Sequence, residues 1–407
     1  MISVKEAHDI IDNNTFVIDK EYISINDVTG RILAEDILAS FSQPRFLNSA
    51  MDGFALRSQD TIGASNNTPI LLRNIDVSSA GSPSELMINS GECIQCMTGA
   101  KIPKGADAVI MVEHTSGFSD NENIQIINQV DEGKNIRKIG EEIKKGELLI
   151  RKGTKITASE LGICATFGYG ELAVMRRPKV AIFATGNELI EPGEQLKEGE
   201  IYNSNLFVFS ELSKILGAEV IMKKVIKDSK TSLRKFLSKA LGLSDLVISS
   251  GGVSMGRYDY VREVFMDLGV KEHFWKVAQK PGKPLFFGTG KDTLIFGLPG
   301  NPVSSYIGYM EWVWPTIKYM LSKEKITLIK AILNEKFPKE KEKHRFLFGK
   351  VWSDKGKLLC KPSTKVGSHM LSSSLDANCI LSSEPGEGEL NIGDEISVNI
   401  LPWKTIE

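Results

Sequence analysis

The chain has 407 residues, of which 50 are Lys or Arg and 51 are Asp or Glu. A single core rarely grows beyond about 250–300 residues, so this length predicts more than one domain. The balanced charge gives no global field that would attract nucleic acid or a membrane surface, and we predict neither as a partner. No apolar run approaches the roughly 20 residues of a membrane helix.

The five cysteines and the N-terminal segment indicate a reducing compartment. An odd number of cysteines fits a cytoplasmic protein better than a disulfide framework, and the first residues lack the apolar region of a signal peptide. We therefore expect a cytoplasmic location. Cys93 and Cys96 form one CxxC pair, but a zinc site needs two further ligands, and no second pair occurs. The alternation around them predicts a strand instead.

The first 177 residues predict two domains, one of them discontinuous. Ser3 and Glu6 have the spacing of a capping box, which predicts a helix from the N-terminus, and we expect a second helix over 24–37. Residues 45–145 contain short β-type runs between Gly, Pro and Asn turns, which predict a β-rich domain. Residues 1–44 and 146–177 then form a helical and mixed linker domain, with a capping box at Thr157 and Glu160.

Apolar strands alternate with helices from Lys179 onward. This alternation predicts a mostly parallel sheet with helices on both faces, in an α/β domain over 178–322. The segment "FGTGKDT" resembles part of a Walker A loop, but Leu285 stands where its first Gly belongs, so we interpret it as a hairpin turn. After a charged linker at 321–345, short strands predict a small barrel or sandwich in a C-terminal domain over 323–407. The fold class is thus multidomain α/β plus β.

Three strands of the predicted α/β domain end in corners rich in Gly, Pro and Ser. Ligands bind beyond the carboxyl ends of strands in open α/β sheets, and glycines before helix N-termini expose N–H groups that favour phosphate or other oxyanions. Each corner taken alone could be a plain tight turn. The first corner holds Thr185, Gly186 and Glu188; the second holds Ser249, Ser250, Gly251, Gly252, Ser254 and Asp259; the third holds Pro299, Gly300, Asn301, Pro302 and Ser304.

Charged side chains accompany these corners. Glu188 and Asp259 are carboxylates beside the predicted phosphate-binding backbone, a combination that suits Mg²⁺. Lys276 and Lys280 could neutralise a phosphate or an inorganic oxyanion. The alternative for any one of these groups is a solvated surface side chain.

Seven motifs carry a resemblance to a known family. In order along the chain they are "NSAMDGFAL", "MTGAKIPKGADAVIMVE", "NIRKIGEEI", "ATGNEL", "SSGGVSMGRYDY", "KPGKP" and "GLPGNPVSS". This order resembles the molybdopterin molybdenumtransferase family, which is similar to the E domain of gephyrin and of plant molybdenum-insertion proteins. The resemblance implies four domains and an elongated homodimer. It also implies Mg²⁺-dependent insertion of molybdate into adenylylated molybdopterin, with release of AMP.

The resemblance also implies roles for individual residues. It makes Glu188 and Asp259 the acidic pair that holds the metal, with Asp228 nearby. Residues of the β-rich domain would complete the cleft from the partner subunit of the homodimer. These residues are Asp52, Thr98 and Arg137, and the implied anion-binding set is Lys276, Lys280, Lys283 and Ser368. Glu142 is a further catalytic candidate in the same domain.

The chain departs from the family pattern at two positions. Glu142 stands where the family usually has Asp, and Gly349 stands at the Arg of a C-terminal F-x-R-G pattern, with Arg345 and Lys350 as candidate substitutes. Three alternatives stay open at this stage: a non-catalytic scaffold, an enzyme acting on another nucleotide, and a tungstate-inserting paralogue. A separate molybdopterin adenylyltransferase is a candidate partner, because no domain for that step is evident here.

Overall fold

The computed structural model describes residues 1–118, 122–252 and 260–406, and the chain divides into two units. Unit 1 comprises Met1–Ala34, Lys152–Thr157 and Glu171–Glu407, and unit 2 comprises Glu35–Arg151 and Ala158–Gly170. Both units are therefore discontinuous in sequence. The four domain boundaries given above stay a prediction.

The first helix begins at the predicted cap, where the N–H of Glu6 donates to Ser3 Oγ at 3.1 Å. The last two helices are joined by a π-helical turn at Tyr309–Val313. The helices are α1 (Val4–Asn14), α2 (Ala158–Thr166), α3 (Asn205–Ile215), α4 (Lys230–Leu243), α5 (Tyr260–Asp267), α6 (Pro302–Gly308) and α7 (Trp314–Ser322).

The strands fall into three stretches of the chain. The first stretch has β1 (Lys20–Ser24), β2 (Ile37–Leu38), β3 (Asn48–Ser49), β4 (Gly53–Leu56), β5 (Ile70–Ser78), β6 (Glu92–Cys96), β7 (Ala108–Met111), β8 (Asn123–Ile126), β9 (Ile136–Arg137), β10 (Leu148–Ile150) and β11 (Glu171–Met175). The second has β12 (Lys179–Thr185), β13 (Leu189–Ile190), β14 (Ile201–Tyr202), β15 (Glu219–Ile226), β16 (Leu246–Ser250), β17 (Lys271–Lys276), β18 (Gln279–Lys280), β19 (Pro284–Thr289) and β20 (Leu294–Leu298). The third has β21 (Ile329–Leu333), β22 (Phe337–Pro338), β23 (His344–Asp354), β24 (Lys357–Pro362), β25 (Cys379–Ser383), β26 (Glu389–Leu390) and β27 (Glu395–Ile400).

The main sheet of unit 1 has the order β15-β12-β16-β20-β19-β17. The pairs from β15 to β20 are parallel, whereas β19 and β17 are antiparallel to their neighbours. The prediction of a mostly parallel sheet is confirmed. The hairpin interpretation of "FGTGKDT" is also confirmed, because β19 and β20 are antiparallel and the N–H of Gly290 donates to the carbonyl of Thr293.

Helices cover both faces of this sheet. Val180 and Ile182 of β12 belong to an apolar cluster with α3 and α6, while Ala181 and Phe183 belong to a second cluster with α4 and α5. The alternation follows from the two-residue period of a strand. Since both faces are covered by apolar side chains, a ligand can approach this sheet only at the strand ends.

The C-terminal strands close into a barrel. The order is β23-β24-β21-β27-β25, and β25 pairs back to β23, which confirms the barrel among the two predicted alternatives. The linker predicted at 321–345 is wrong from residue 329 onward, because β21 lies within it and supplies a barrel strand. Its Ala331 and Leu333 are buried in the barrel core, although charged residues flank the strand in sequence.

The predicted helix over 24–37 is also wrong. Only Ile25–Asp27 forms a 3₁₀ turn. Gly30 then adopts a φ of +80°, and Ile32 and Leu33 form bridges to Lys155 and Val174. The backbone of this segment is thus used for pairing with distant segments, which overrides its helical pattern.

Unit 2 contains the predicted β-rich region. Its main sheet has the order β7-β4-β6-β5-β8. Cys93 and Cys96 lie in β6 and are fully buried, which confirms the strand interpretation of the CxxC segment. Within the described residues of both units, no helix has the length and apolar character needed to cross a bilayer.

Candidate active-site cleft

The three corners predicted from the sequence line one cleft in unit 1, with a volume of about 1120 Å³. Strands β12, β16 and β20 are adjacent and parallel, so their carboxyl ends meet at the same edge of the sheet. Among the residues predicted for this site, the cleft is lined by Thr185, Gly186, Glu188, Asp228, Ser250, Gly251, Gly252, Lys280, Lys283, Pro299, Gly300, Asn301, Pro302, Ser304 and Ser368.

In the first corner, the Glu188 carboxylate lies against the backbone of Gly186. A Cβ placed on Gly186 would lie 2.5 Å from Glu188 Oε1, so the glycine leaves the space that the carboxylate occupies. Asp228 lines the same cleft, and its backbone N–H donates to Asn187 Oδ1 at 3.2 Å. Two carboxylates therefore face the cleft from the ends of β12 and β15.

The second corner is built from two glycines in the left-handed region. Gly251 has a φ of +81° and Gly252 a φ of +73°, which only glycine adopts without strain. A Cβ on Gly252 would lie 2.7 Å from Thr185 Oγ1. Ser249 is fully buried and is not among the cleft-lining residues, and Ser254 and Asp259 lie outside the described residues.

The third corner is tied to the barrel and to α3. Pro302 is the first residue of α6, as predicted, and Asn301 Nδ2 donates to Ser368 Oγ at 3.2 Å. Asn205, which sequence reasoning missed, donates from Nδ2 to Ser250 Oγ at 2.7 Å and to the carbonyl of Gly300 at 2.8 Å. One buried amide thus links the second and third corners. The sequence signal that could have indicated Asn205 is its position at the first residue of α3, directly after the N-cap residue Ser204.

Among the described residues, four cationic side chains line the cleft: Lys280, Lys283, Lys343 and Arg345. Lys280 Nζ donates to Glu340 Oε1 at 2.5 Å, and this contact lowers the pKa of the Glu340 carboxyl. Lys276 is not among the described residues that line the cleft; its Nζ lies 4.2 Å from the centre of the Trp275 ring.

Arg345 is the more unusual of these cations because it is only 6% exposed. Its Nη1 lies 3.3 Å from Glu340 Oε1, and its Nε has no hydrogen-bond partner. Burial lowers the pKa of the guanidinium. Of the two candidate substitutes for the missing family Arg, Arg345 lines the cleft, whereas Lys350 lines a separate cavity of about 310 Å³ beside Gly349.

The remaining predicted site residues belong to unit 2. The N–H and hydroxyl of Thr98 both donate to Asp52 Oδ1, at 2.7 and 2.8 Å, and these bonds lower the pKa of Asp52. Arg137 ends β9, and the N–H of Glu142 donates to the carbonyl of Gln43 at 3.1 Å. Asp52 and Thr98 therefore form a hydrogen-bonded pair within unit 2.

The donor set of the cleft suits a phosphorylated ligand with a divalent cation. Glycine-rich backbone, lysines and a buried guanidinium bind phosphate or oxyanions. Two carboxylates together with substrate phosphates are typical Mg²⁺ ligands. The residues therefore fit the metal that the sequence motifs imply.

Comparison with known proteins identifies the family. Three family models match: "MoeA N-terminal region (domain I and II)" over 2–168, "Probable molybdopterin binding domain" over 181–319, and "MoeA C-terminal region (domain IV)" over 330–401. The molybdopterin molybdenumtransferase of Staphylococcus epidermidis is 38% identical over 364 residues, which is 89% of this chain and 86% of that protein. The chain belongs to the MoeA family.

Further relatives of the MoeA family agree. The molybdopterin molybdenumtransferase of Bacillus subtilis is 34% identical, over 95% of this chain and 93% of that protein. The crystal structure of the molybdopterin biosynthesis MoeA protein from Pyrococcus horikoshii matches with a TM-score of 0.87 and 31% identity, over 98% of this chain and 99% of that chain. The family predicted from the sequence motifs, and with it the transferase class, are confirmed.

Proposed function

We propose that this protein inserts molybdate into adenylylated molybdopterin in a Mg²⁺-dependent reaction that releases AMP. The observation that carries the proposal is the cleft of unit 1, where three glycine-rich strand ends line one space together with two carboxylates and four cations of the described part of the chain. The names of the MoeA relatives support molybdenum transfer as the reaction. Mg²⁺, adenylylation and AMP are the finer part of the proposal.

The carboxylates are the proposed metal ligands. Glu188 and Asp228 would hold Mg²⁺ together with the substrate phosphates, and Asp259 would join them. The ion would neutralise charge that develops on the phosphate during AMP release. The N–H groups of the glycine corners would orient the phosphates, since left-handed glycines let the backbone approach them closely.

The cations are the proposed oxyanion site. Lys280, Lys283 and Arg345 carry fixed positive charge into the cleft, and Arg345 offers an unpartnered Nε–H. A guanidinium binds a tetrahedral oxyanion through directed hydrogen bonds. Molybdate and tungstate have nearly the same size and charge, so this site would accept both.

The working enzyme is proposed to be a cytoplasmic homodimer. Asp52, Thr98 and Arg137 belong to unit 2, while the cleft belongs to unit 1. We propose that these residues complete the cleft of the partner subunit, as the family resemblance implies. A molybdopterin adenylyltransferase would supply the substrate.

The test is a defined reaction with purified protein, adenylylated molybdopterin, Mg²⁺ and either molybdate or tungstate. We expect oxyanion-dependent AMP release, and we expect Glu188→Ala and Lys280→Ala to reduce it strongly. Lys291→Ala is the control, because Lys291 is exposed in the β19–β20 turn and does not line the cleft. AMP release that is absent, or indifferent to the oxyanion, would refute the proposal.

A further inference from the structure

A short ribbon of two strands brings apolar side chains to the polar cleft. Strands β13 and β14 pair in parallel, and the N–H of Ile201 donates to the carbonyl of Glu188 at 2.9 Å. This pairing fixes Leu189, Ile201 and Tyr202 beside the first corner, and all three line the cleft. The cleft wall next to the carboxylates is thus apolar.

Tyr202 is the one Phe, Tyr or Trp side chain among the described residues that line this cleft. It is 45% exposed, and the neighbouring Ile201 is 55% exposed. The Tyr202 hydroxyl donates to the carbonyl of Glu194 at 2.8 Å, which anchors the edge of the ring in the 191–200 loop. An anchored ring with a large exposed area loses little conformational entropy when it binds a ligand.

The types of side chain that line different parts of the cleft indicate which part of a ligand this wall would bind. The lysines, Arg345 and the glycine corners provide groups that bind anions. Aromatic side chains pack against planar rings in offset or edge-to-face geometry, and binding sites combine apolar walls with a few polar groups. Leu189, Ile201 and Tyr202 combine an aromatic ring with aliphatic groups, whereas the rest of the described lining has Val366 and prolines but no Phe, Tyr or Trp.

We propose that Tyr202, with Leu189 and Ile201, forms the subsite for a planar heterocycle of the substrate. The proposal rests on the function proposed above and adds the position of the ring. The substrate contains two such rings, a pterin and an adenine, and both have the chemistry that this wall recognises. Because the wall adjoins Glu188, the ring would lie at the end of the cleft near the carboxylates.

The experiment is equilibrium binding by calorimetry with AMP, molybdopterin and ribose 5-phosphate as separate probes. Ribose 5-phosphate carries a phosphate without a heterocycle. We expect Tyr202→Ala to weaken binding of AMP, molybdopterin or both by about tenfold, the scale of stacking on an aromatic side chain, and to leave ribose 5-phosphate unchanged. Loss confined to AMP assigns the adenine, and loss confined to molybdopterin assigns the pterin.

Two further variants separate the ring from other effects. Tyr202→Phe keeps the ring and loses the bond to Glu194, so its affinity for the probes should stay within about twofold of the wild type. Phe207→Ala is the matched control, because Phe207 is also 45% exposed but does not line the cleft. If Tyr202→Ala left the affinities for AMP and molybdopterin unchanged, the proposed subsite would be refuted, but the proposed function would not. A wild-type protein that binds neither probe would overturn the proposed function together with the subsite.

Discussion

At the residue scale, Glu340 sets the charge balance of the cationic end of the cleft. One of its oxygens accepts from Lys280 and lies near Arg345, so a single carboxylate offsets two cations. Neither cation is fully available to an oxyanion while this carboxylate is charged. Glu340 itself is not among the described residues that line the cleft.

Glu340→Gln should therefore strengthen oxyanion binding. The half-saturating molybdate concentration for AMP release should fall about two- to fivefold, because partly exposed ion pairs contribute about 0.2–1 kcal/mol. Glu335→Gln is the control. Glu335 Oε1 lies 3.4 Å from Lys361 Nζ, and neither residue lines this cleft. A higher half-saturating concentration in Glu340→Gln would show that the carboxylate orders the cations instead.

Asn205 is a positioning residue at the same scale. Asn205→Ala removes both hydrogen bonds that link the second and third corners, so the free energy of unfolding should decrease by about 1–3 kcal/mol. Ser250→Ala removes only one of the two bonds and should cost about half as much. Urea denaturation of the two variants measures this, and equal losses would mean that the bond to Gly300 contributes nothing.

At the element scale, the corner after β16 requires glycine for its conformation. Gly252→Ala places a Cβ against Val261 and Thr185 in backbone that favours glycine, so we expect a loss of more than about 1 kcal/mol in the free energy of unfolding. Gly242→Ala is the matched control within α4, where a Cβ meets no atom within 4 Å. It should stabilise the protein by about 0.5–1 kcal/mol. Calorimetric melting temperatures that move in the same direction would contradict this account.

Strand β23 carries a partly buried histidine, His344, that should make stability depend on pH. Burial lowers the pKa of His344, although Glu384 lies 3.4 Å from its Nδ1. The unfolded chain, with a His pKa of about 6.5, then binds more protons than the folded chain just below that pH. Stability should therefore decrease as the pH falls below about 6.5.

His344→Gln should reduce this pH dependence, measured as melting temperature between about pH 5 and 7. His273 on β17 has its pKa lowered in the same direction, by burial and by Lys271. The double variant should therefore flatten the profile further. A profile in His344→Gln as steep as that of the wild type would exclude His344 as a source.

At the scale of the whole molecule, the proposed dimer makes two predictions about assembly. Light scattering should give twice the 44.9 kDa mass of one chain. Mixing Glu188→Ala chains with Arg137→Ala chains under exchange should restore about a quarter of wild-type AMP release, because half of the random dimers would each contain one intact cleft. A monomer mass, or mixed chains that stay inactive while exchanging freely, would refute the shared cleft.

The sequence by itself determined the elements whose signals are local. The strand-end corners, the cap at Ser3 and the start of α6 at Pro302 followed from the few residues that permit a tight turn or begin a helix. The β-rich strands of unit 2 and the parallel part of the sheet followed from periodicity. Parallel order then placed the three corners at one edge, because parallel strands share the direction of their carboxyl ends.

Only the tertiary structure decided the features that depend on distant pairings. Arg345 enters the cleft because β23 pairs with β18, and Asn205 joins two corners because α3 packs beside both. Strand β21 was not predicted, because charged residues flank it in sequence, yet it pairs with β27. Residues 32–33 have a helical pattern but form bridges to residues more than 100 positions away. In each case the free energy comes from contacts between residues far apart in sequence, which no local pattern records.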